Sequence, residues 1–344
     1  MDMLAYPVLR AFASAHTGAH SNAKARYAPD AGRGANGCSA VRARYARSSA
    51  GFYSYVCNKT ARKVDANAGP APKGYGDMEK YFNLSGADFD IRCKIYFSPS
   101  AQGILQEEDG LPPVSPSFKR VIVFCHGFAG HKDNRAAQLL SEKILERHSD
   151  TALVIFNWPA HGDDPHEYIV LKDCDKYLDT VVKFVQDTYH PEILDACATS
   201  FGAYLLLKYL ADHGCSPFRR ICLRCPAIVM HYVLTEVILP PEDLKTLSEG
   251  GHVFSGFDRL VEITPSFVEE LKNEDIRKRD FSRFADRIRI VQGTKDELVP
   301  YREVVKFADR NGISCRLVED ADHRFLDPRK MDVVIETFMD FLGL

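Results

Sequence analysis

Apolar and polar positions alternate in recurring segments along most of this chain, beginning near residue 78. Continuous apolar runs and short alternating stretches predict β-strands at 90–97, 120–125, 151–156, 193–198, 220–223, 288–293 and 314–318. Apolar residues at helical spacing between them predict helices at 135–147, 177–185, 202–210, 302–310 and 331–342. Strands that alternate with helices are typical of an α/β fold, in which helices cover both faces of a mostly parallel sheet.

Two regions depart from this alternation. Residues 1–77 show no sustained period and predict a disordered basic extension ahead of one domain over 78–344. Three origins stay open for the extension: a targeting segment, a disordered tail, or sequence upstream of a natural start at Met78. Residues 227–285 hold two helical patches and a Gly- and aromatic-rich loop, and they predict a lid inserted after the sixth strand.

Composition limits the classes of function. The chain has 344 residues, 45% of them hydrophobic, which is enough for a large core. The extension holds 11 Lys and Arg against 4 Asp and Glu, whereas the remainder holds 33 against 43. A body this acidic gives no reason to expect a nucleic-acid partner. The apolar runs are too short to predict a membrane span.

The ten cysteines do not predict a disulfide framework. Four of them fall in apolar runs that predict central strands: Cys125, Cys197, Cys222 and Cys225. A metal or redox site at Cys222-x-x-Cys225 would need a second pair or a histidine nearby, so buried strand thiols are the favoured interpretation. No secretory signal is evident, and we therefore expect a reducing, cytoplasmic location. A homodimer is left open.

Ser200 lies at a predicted strand-to-helix junction, with the small residues Ala198 and Gly202 two positions before and after it. This spacing is typical of a nucleophile elbow, a strained turn that exposes the serine hydroxyl and has no room for large flanking side chains. Many elbows have glycine at the position of Ala198. A helix N-cap is the structural alternative for Ser200.

A serine hydroxyl needs a base, and the base needs an orienting acid. Asp296 follows the strand predicted at 288–293 and is the candidate acid, with Glu297 as its rival. His323 follows the last predicted strand and is the candidate base, whereas Asp322 is expected to be a solvated loop residue. All three candidates therefore stand at the carboxyl edge of the sheet, where sites of open α/β sheets form.

An oxyanion hole would complete this site. One donor is expected to be the backbone N–H of Phe201, directly after the serine. The other is expected to be the N–H of Phe128, in the loop after the strand 120–125. His126 and His161 are expected to hold their own turns.

The motifs at 126–128, 157–162 and 198–202, with Asp296 and His323 in that chain order, resemble those of the α/β-hydrolase superfamily over about residues 80–344. Within it the chain is similar to bacterial cinnamoyl (feruloyl) esterases, close to the serine-aminopeptidase-like and monoacylglycerol-lipase-like groups. The resemblance implies an α/β-hydrolase fold with a lid at 227–285. One departure is Asn157, where relatives usually have aspartate, and it is expected to alter the pocket wall without touching the triad.

The sequence therefore predicts a serine hydrolase that cleaves carboxylic esters of small or aromatic acyl groups without a metal or cofactor. Lid residues expected to contact the small-molecule ester are Tyr232, Val237, Phe254 and Phe257. The same residues could instead pack the lid onto the body. Two alternatives stay open, a peptidase or amidase with the same triad and a non-catalytic binding protein. The second is disfavoured because all three triad residues are present.

Overall fold

The computed structural model describes residues 79–86, 89–98, 118–256 and 260–344, together with the backbone of two short strands before them. These strands, β1 (Ala46–Ser48) and β2 (Gly51–Tyr53), pair antiparallel. They belong to a unit over Met1–Asn58, and the rest of the chain forms a second unit over Lys59–Leu344. Apart from β1 and β2, the predicted extension lies outside the described residues.

The second unit is built around one eight-stranded sheet. Its strands and those of a separate hairpin are β3 (Glu79–Ser85), β4 (Asp90–Tyr96), β5 (Arg120–Cys125), β6 (Thr151–Phe156), β7 (Ile193–Thr199), β8 (Ile221–Arg224), β9 (Val253–Ser255), β10 (Val261–Ile263), β11 (Ile288–Gly293) and β12 (Ser314–Val318). The sheet order is β12-β11-β8-β7-β5-β6-β4-β3. Strand β4 is antiparallel to both of its neighbours, and the other pairs are parallel. The predicted mostly parallel sheet is confirmed.

Helices cover both faces of this sheet. They are α1 (Arg135–Leu145), α2 (Leu171–Tyr189), α3 (Phe201–His213), α4 (Met230–Tyr232), α5 (Pro241–Ser248), α6 (Pro265–Asn273), α7 (Tyr301–Asn311) and α8 (Pro328–Leu342). One hydrophobic core contains side chains of α2, α3 and α7, and a second contains those of α1 and α8. Strands β5 and β6 are buried at every position because both of their faces meet a core.

The segment between β8 and β11 interrupts the alternation, as the sequence predicts. Helix α4 continues into a π-helical stretch, Val233–Ile238, and α5, the β9–β10 hairpin and α6 follow. Short 3₁₀ turns at Ile276–Lys278 and Ser282–Arg287 lead into β11. Helix α5 and the hairpin were not predicted from the sequence. None of the described helices is long and apolar enough to cross a membrane.

Candidate active site

Ser200 lies between β7 and α3 in a conformation that non-glycine residues rarely adopt, with φ 52° and ψ −118°. Its N–H donates to the carbonyl of Arg224 at 3.0 Å, and its carbonyl accepts the N–H of Ala227 at 3.1 Å. A strained backbone persists where its surroundings over-determine it, and these bonds to the end of β8 do so here. Within the described residues the Ser200 side chain does not cap α3, so its hydroxyl is available for other contacts.

The start of α3 packs against the end of β5, and this explains the small residue two positions after Ser200. A side chain at Gly202 would place its Cβ 2.4 Å from the carbonyl oxygens of both Cys125 and His126. Glycine is therefore required at this position, as the elbow pattern predicts. Ala198 is completely buried, and its single methyl group is accommodated.

The three candidate catalytic side chains meet in a chain of hydrogen bonds. The Oγ of Ser200 lies 2.9 Å from Nε2 of His323, and Nδ1 of the same ring lies 2.9 Å from both carboxylate oxygens of Asp296. Because a carboxylate only accepts, the ring carries its proton on Nδ1 and leaves Nε2 to accept from the serine hydroxyl. The structure thus brings together residues that are far apart in sequence.

The Asp296 carboxylate is buried and held by several donors. Oδ1 accepts the backbone N–H groups of Leu298 at 3.0 Å and Val299 at 2.7 Å, and Oδ2 accepts from Nε2 of Gln292 at 2.8 Å. Burial raises the pKa of Asp296, but the hydrogen bond and charge of His323 and the Val299 N–H outweigh it, so the net pKa lies below its ordinary value. An ionised acid is what an imidazolium intermediate requires.

The rival acids have other partners. The Glu297 carboxylate accepts the backbone N–H of His323 at 3.0 Å, so it holds the histidine loop rather than the ring. Asp322 accepts the backbone N–H groups of Arg324 and Leu326 within its own turn. Sequence reasoning missed the supporting role of Gln292, for which a signal exists: it is a polar residue in an otherwise apolar part of β11.

The two residues predicted to supply the oxyanion donors are in contact through their side chains. Their rings, Phe128 and Phe201, meet edge to face with centroids 5.9 Å apart. Helix α3 begins at Phe201, so the N–H of this residue has no partner within its helix. Phe128 belongs to residues 126–134 between β5 and α1, named the oxyanion loop after its predicted role. This loop turns back through a hydrogen bond from the N–H of Gly130 to the carbonyl of Gly127 at 3.0 Å.

Comparison with known proteins agrees with this architecture. No protein-family model matches the chain, and neither does any curated protein sequence. Among solved structures, Est1E from Butyrivibrio proteoclasticus with ferulic acid bound superposes with a TM-score of 0.57 at 16% identity, over 76% of this chain and 100% of that one. The mouse alpha/beta hydrolase domain-containing protein 10 gives 0.53 at 16% identity, over 77% and 98%. The chain has the α/β-hydrolase fold. The Pyrococcus furiosus esterase Pf2001 also matches, with 0.54 at 15% identity over 80% and 96%.

Two buried histidines lie at the oxyanion loop: His126 is its first residue, and His161 packs against Phe128 from outside it. His126 donates from Nδ1 to the carbonyl of Gly127 at 2.8 Å and accepts the N–H of Trp158 at Nε2 at 3.4 Å. His161 donates from Nδ1 to the carbonyl of Pro159 at 2.9 Å, and its Nε2 has no partner among the described residues. Burial lowers the pKa of His126 well below its ordinary value and that of His161 to about 4. Both rings are therefore neutral near pH 7.

The predicted substrate residues are unevenly exposed. Tyr232 is 46% exposed, and Val237 and Phe254 are partly buried, so packing leaves part of each side chain open to solvent. Leu234, on the same short helical segment, is fully buried and packs the insertion onto the body. Phe257 lies outside the described residues.

One group of side chains in the described part of the chain has the composition of a metal site. The thiol of Cys225, the carboxylate of Asp296 and the ring of His323 lie within 4.8 Å of one another. Burial raises the pKa of Cys225 well above its ordinary value, which keeps it a neutral thiol and a poor metal ligand. The other two groups already bind each other, so this arrangement fits acid–base chemistry better than metal binding.

Proposed function

We propose that this protein is a serine hydrolase of carboxylic esters, with Ser200 as nucleophile, His323 as general base and acid, and Asp296 as the orienting acid. The observation that carries the proposal is the pair of 2.9 Å contacts that join serine to imidazole and imidazole to carboxylate. A partly exposed serine in a strained conformation at the end of a central strand adds support, since the fold uses this turn to present a nucleophile.

The reaction follows from this arrangement. As Ser200 Oγ attacks the ester carbonyl carbon, its proton passes to Nε2 of His323 and the carbonyl electrons move onto oxygen. The amides of Phe128 and Phe201 donate to that oxyanion, and ionised Asp296 stabilises the imidazolium. The bond to the leaving oxygen then breaks, and His323 protonates the departing alcohol. Water attacks the acyl-enzyme by the same steps, with His323 taking its proton, and the acid is released.

Small or aromatic acyl groups are the proposed substrates. The insertion reaches the candidate site, because Phe267 of α6 meets the ring of Phe201 and Glu274 accepts from the hydroxyl of Tyr204 at 3.0 Å. We infer that it acts as a lid whose exposed Tyr232 and partly buried Phe254 contact the acyl group. Est1E shares the fold and is solved with ferulic acid bound, which makes hydroxycinnamoyl esters suitable first probes.

A cytoplasmic location also remains a proposal. Each cysteine in the described part of the chain is a free thiol. Unpaired cysteines are usual in a reducing compartment.

The test is hydrolysis of p-nitrophenyl esters and methyl hydroxycinnamates by the wild type and by Ser200→Ala. We expect the variant to lose at least about 10³-fold in kcat. Ser141→Ala is the matched control, because the only partner of the Ser141 hydroxyl within the described residues is the carbonyl of Gln138 in the same helix, and this bond should be dispensable. Equal activity of Ser200→Ala and wild type would mean that the nucleophile is wrong. A folded wild type that hydrolyses none of these esters would overturn the proposed function, and aminoacyl anilides in the same panel would test amide cleavage.

A further inference from the structure

Two adjacent residues at the end of β6 contact the oxyanion loop on both sides of Phe128. Before Phe128, Trp158 donates from Nε1 to the carbonyl of His126 at 3.0 Å. After Phe128, the side-chain oxygen of Asn157 accepts the backbone N–H of Lys132 at 2.6 Å. The loop is therefore bracketed by one pair of side chains, and its middle carries the amide that is proposed to bind the oxyanion.

The oxygen and the nitrogen of the Asn157 carboxamide have different partners. Its oxygen accepts from the Lys132 backbone, and its Nδ2 donates to Oδ1 of Asp163 at 2.6 Å. Asp163 also binds Nζ of Lys132 at 2.8 Å. Burial works against ionisation of Asp163, but these contacts outweigh it and the pKa of this carboxyl is lowered. Because an ionised carboxylate offers only acceptors, the partner at position 157 has to supply a donor.

The space around this carboxamide is closed. Asn157 is completely buried, so it does not line the pocket wall as the sequence suggested. Gly162 turns over it with φ +62°, and a Cβ at Gly162 would lie 2.5 Å from Nδ2 of Asn157. The side chain therefore has little freedom to shift when one of its hydrogen bonds is removed.

We propose that Asn157 is a positioning residue of the oxyanion hole, which fixes the Phe128 amide by holding the far end of the oxyanion loop and whose donor polarity is matched to Asp163. The proposal rests on the proposed function. It also accounts for the asparagine at 157, where relatives usually have aspartate. An aspartate at this position can accept from the Lys132 backbone but cannot donate to a carboxylate at 163.

The experiment is a mutant cycle across the two positions, followed by hydrolysis of a p-nitrophenyl ester. In Asn157→Leu both hydrogen bonds are lost, and we expect kcat to fall by about 10- to 100-fold with KM within about twofold of the wild type. In Asn157→Asp two carboxylates meet. Because Asp163 is 56% exposed, solvent screens part of the repulsion, and we expect a loss of about tenfold. Asp163→Asn should cost less, because the new side-chain oxygen can still accept from Asn157.

The decisive variant is the double substitution Asn157→Asp with Asp163→Asn. It restores the contact with reversed polarity, since Asn at 163 donates to Asp at 157, and it keeps the acceptor for the Lys132 backbone. We expect its kcat to return to within about threefold of the wild type. The rate at which a fluorophosphonate labels Ser200 should follow the same order, because that reaction also places negative charge in the oxyanion hole.

The outcomes separate the two proposals. An active wild type with an unimpaired Asn157→Leu variant, or a folded double variant no better than Asn157→Asp, would overturn the positioning role and leave the serine hydrolase standing. A folded wild type that neither hydrolyses esters nor reacts with the phosphonate would overturn both. Thermal midpoints show which variants are folded. If Asn157→Asp does not fold, the double variant still gives the answer, because it must then recover both folding and kcat.

Discussion

Ser200, Asp296 and His323 each lie on a turn that directly follows a parallel strand, whereas the residues proposed to contact the acyl group lie on short elements between β8 and β11. The strand-end turns are tied to one another by backbone hydrogen bonds: the N–H of Lys295, in the acid turn, donates to the carbonyl of Ala321, in the histidine turn, at 3.0 Å. The insertion packs apolar side chains such as Leu234 and Phe267 into the core of the body, and its α5 buries only Leu247. Backbone ties fix a geometry, while side-chain packing tolerates exchange. We therefore expect changes at the strand ends to affect kcat and changes in the insertion to affect KM.

The largest effect is expected from a change at a strand end, in the turn that holds Asp296. In Asp296→Asn the amide can donate to Nδ1 of His323, which stabilises the tautomer that cannot accept the serine proton. By analogy with the same change in a serine protease, kcat should fall by about 10⁴-fold while the protein stays folded. Steady-state kinetics on a p-nitrophenyl ester measures this.

Glu297→Gln is the matched control for the adjacent position. Glutamine can still accept the backbone N–H of His323, so we expect a loss of less than about tenfold. A larger loss in Glu297→Gln than in Asp296→Asn would mean that the acid has been assigned to the wrong residue.

A smaller effect concerns the stability contributed by His161, whose buried ring packs against Phe128 of the oxyanion loop. The pKa of His161 is lowered from 6.5 to about 4, so between these values the unfolded chain binds a proton that the folded chain does not. Stability should therefore fall as the pH falls through this window, by about 2 kcal/mol from His161 alone between pH 8 and pH 5. Urea unfolding of the wild type and of His161→Phe at both pH values tests this. The variant should lose less stability than the wild type on acidification, and equal losses would contradict the assignment.

The smallest effect tests the insertion. Because the Tyr232 ring is 46% exposed, Tyr232→Ala should leave the thermal midpoint nearly unchanged. It should raise KM for a methyl hydroxycinnamate by up to about tenfold, with little change for p-nitrophenyl acetate. Leu317→Ala is the control, because it also removes an exposed apolar side chain, but one on the edge strand β12. A fall in kcat for both esters would indicate that the insertion supports the catalytic residues themselves.

Sequence predicted the strand-end region closely. The strands at 120–125, 151–156, 288–293 and 314–318 agree with the structure to the residue. For β5 and β6 the reason is that strands buried on both faces are continuous apolar runs that turns end sharply. The edge strand β12 is mostly exposed and was found from its short run between turns. Strand β3 was missed although Phe82 and Leu84 alternate with more exposed neighbours. The elbow, the acid turn and the histidine turn could be found because each follows a predicted strand.

The insertion could not be predicted at the same level. The β9–β10 strands have three residues each, too few to show a period. Helix α5 did carry a signal, since Pro241 begins it and acidic residues follow in the first turn. On the segment that holds Tyr232 and Leu234, only packing decides which side chain faces solvent. The hydrogen bond between Asn157 and Asp163 could not be predicted from the sequence either, because it depends on which side chain donates and which accepts.

The bond from the Ala227 N–H to the Ser200 carbonyl has a consequence for how this protein can diversify. The first residue of the insertion is attached to the backbone of the elbow itself, and the last 3₁₀ turn of the insertion runs straight into β11. The two ends of the insertion are thus positioned by the elbow and by β11, which both belong to the body. We therefore expect a chimaera that exchanges residues 228–281 to keep the proposed nucleophile, base and acid while its specificity changes.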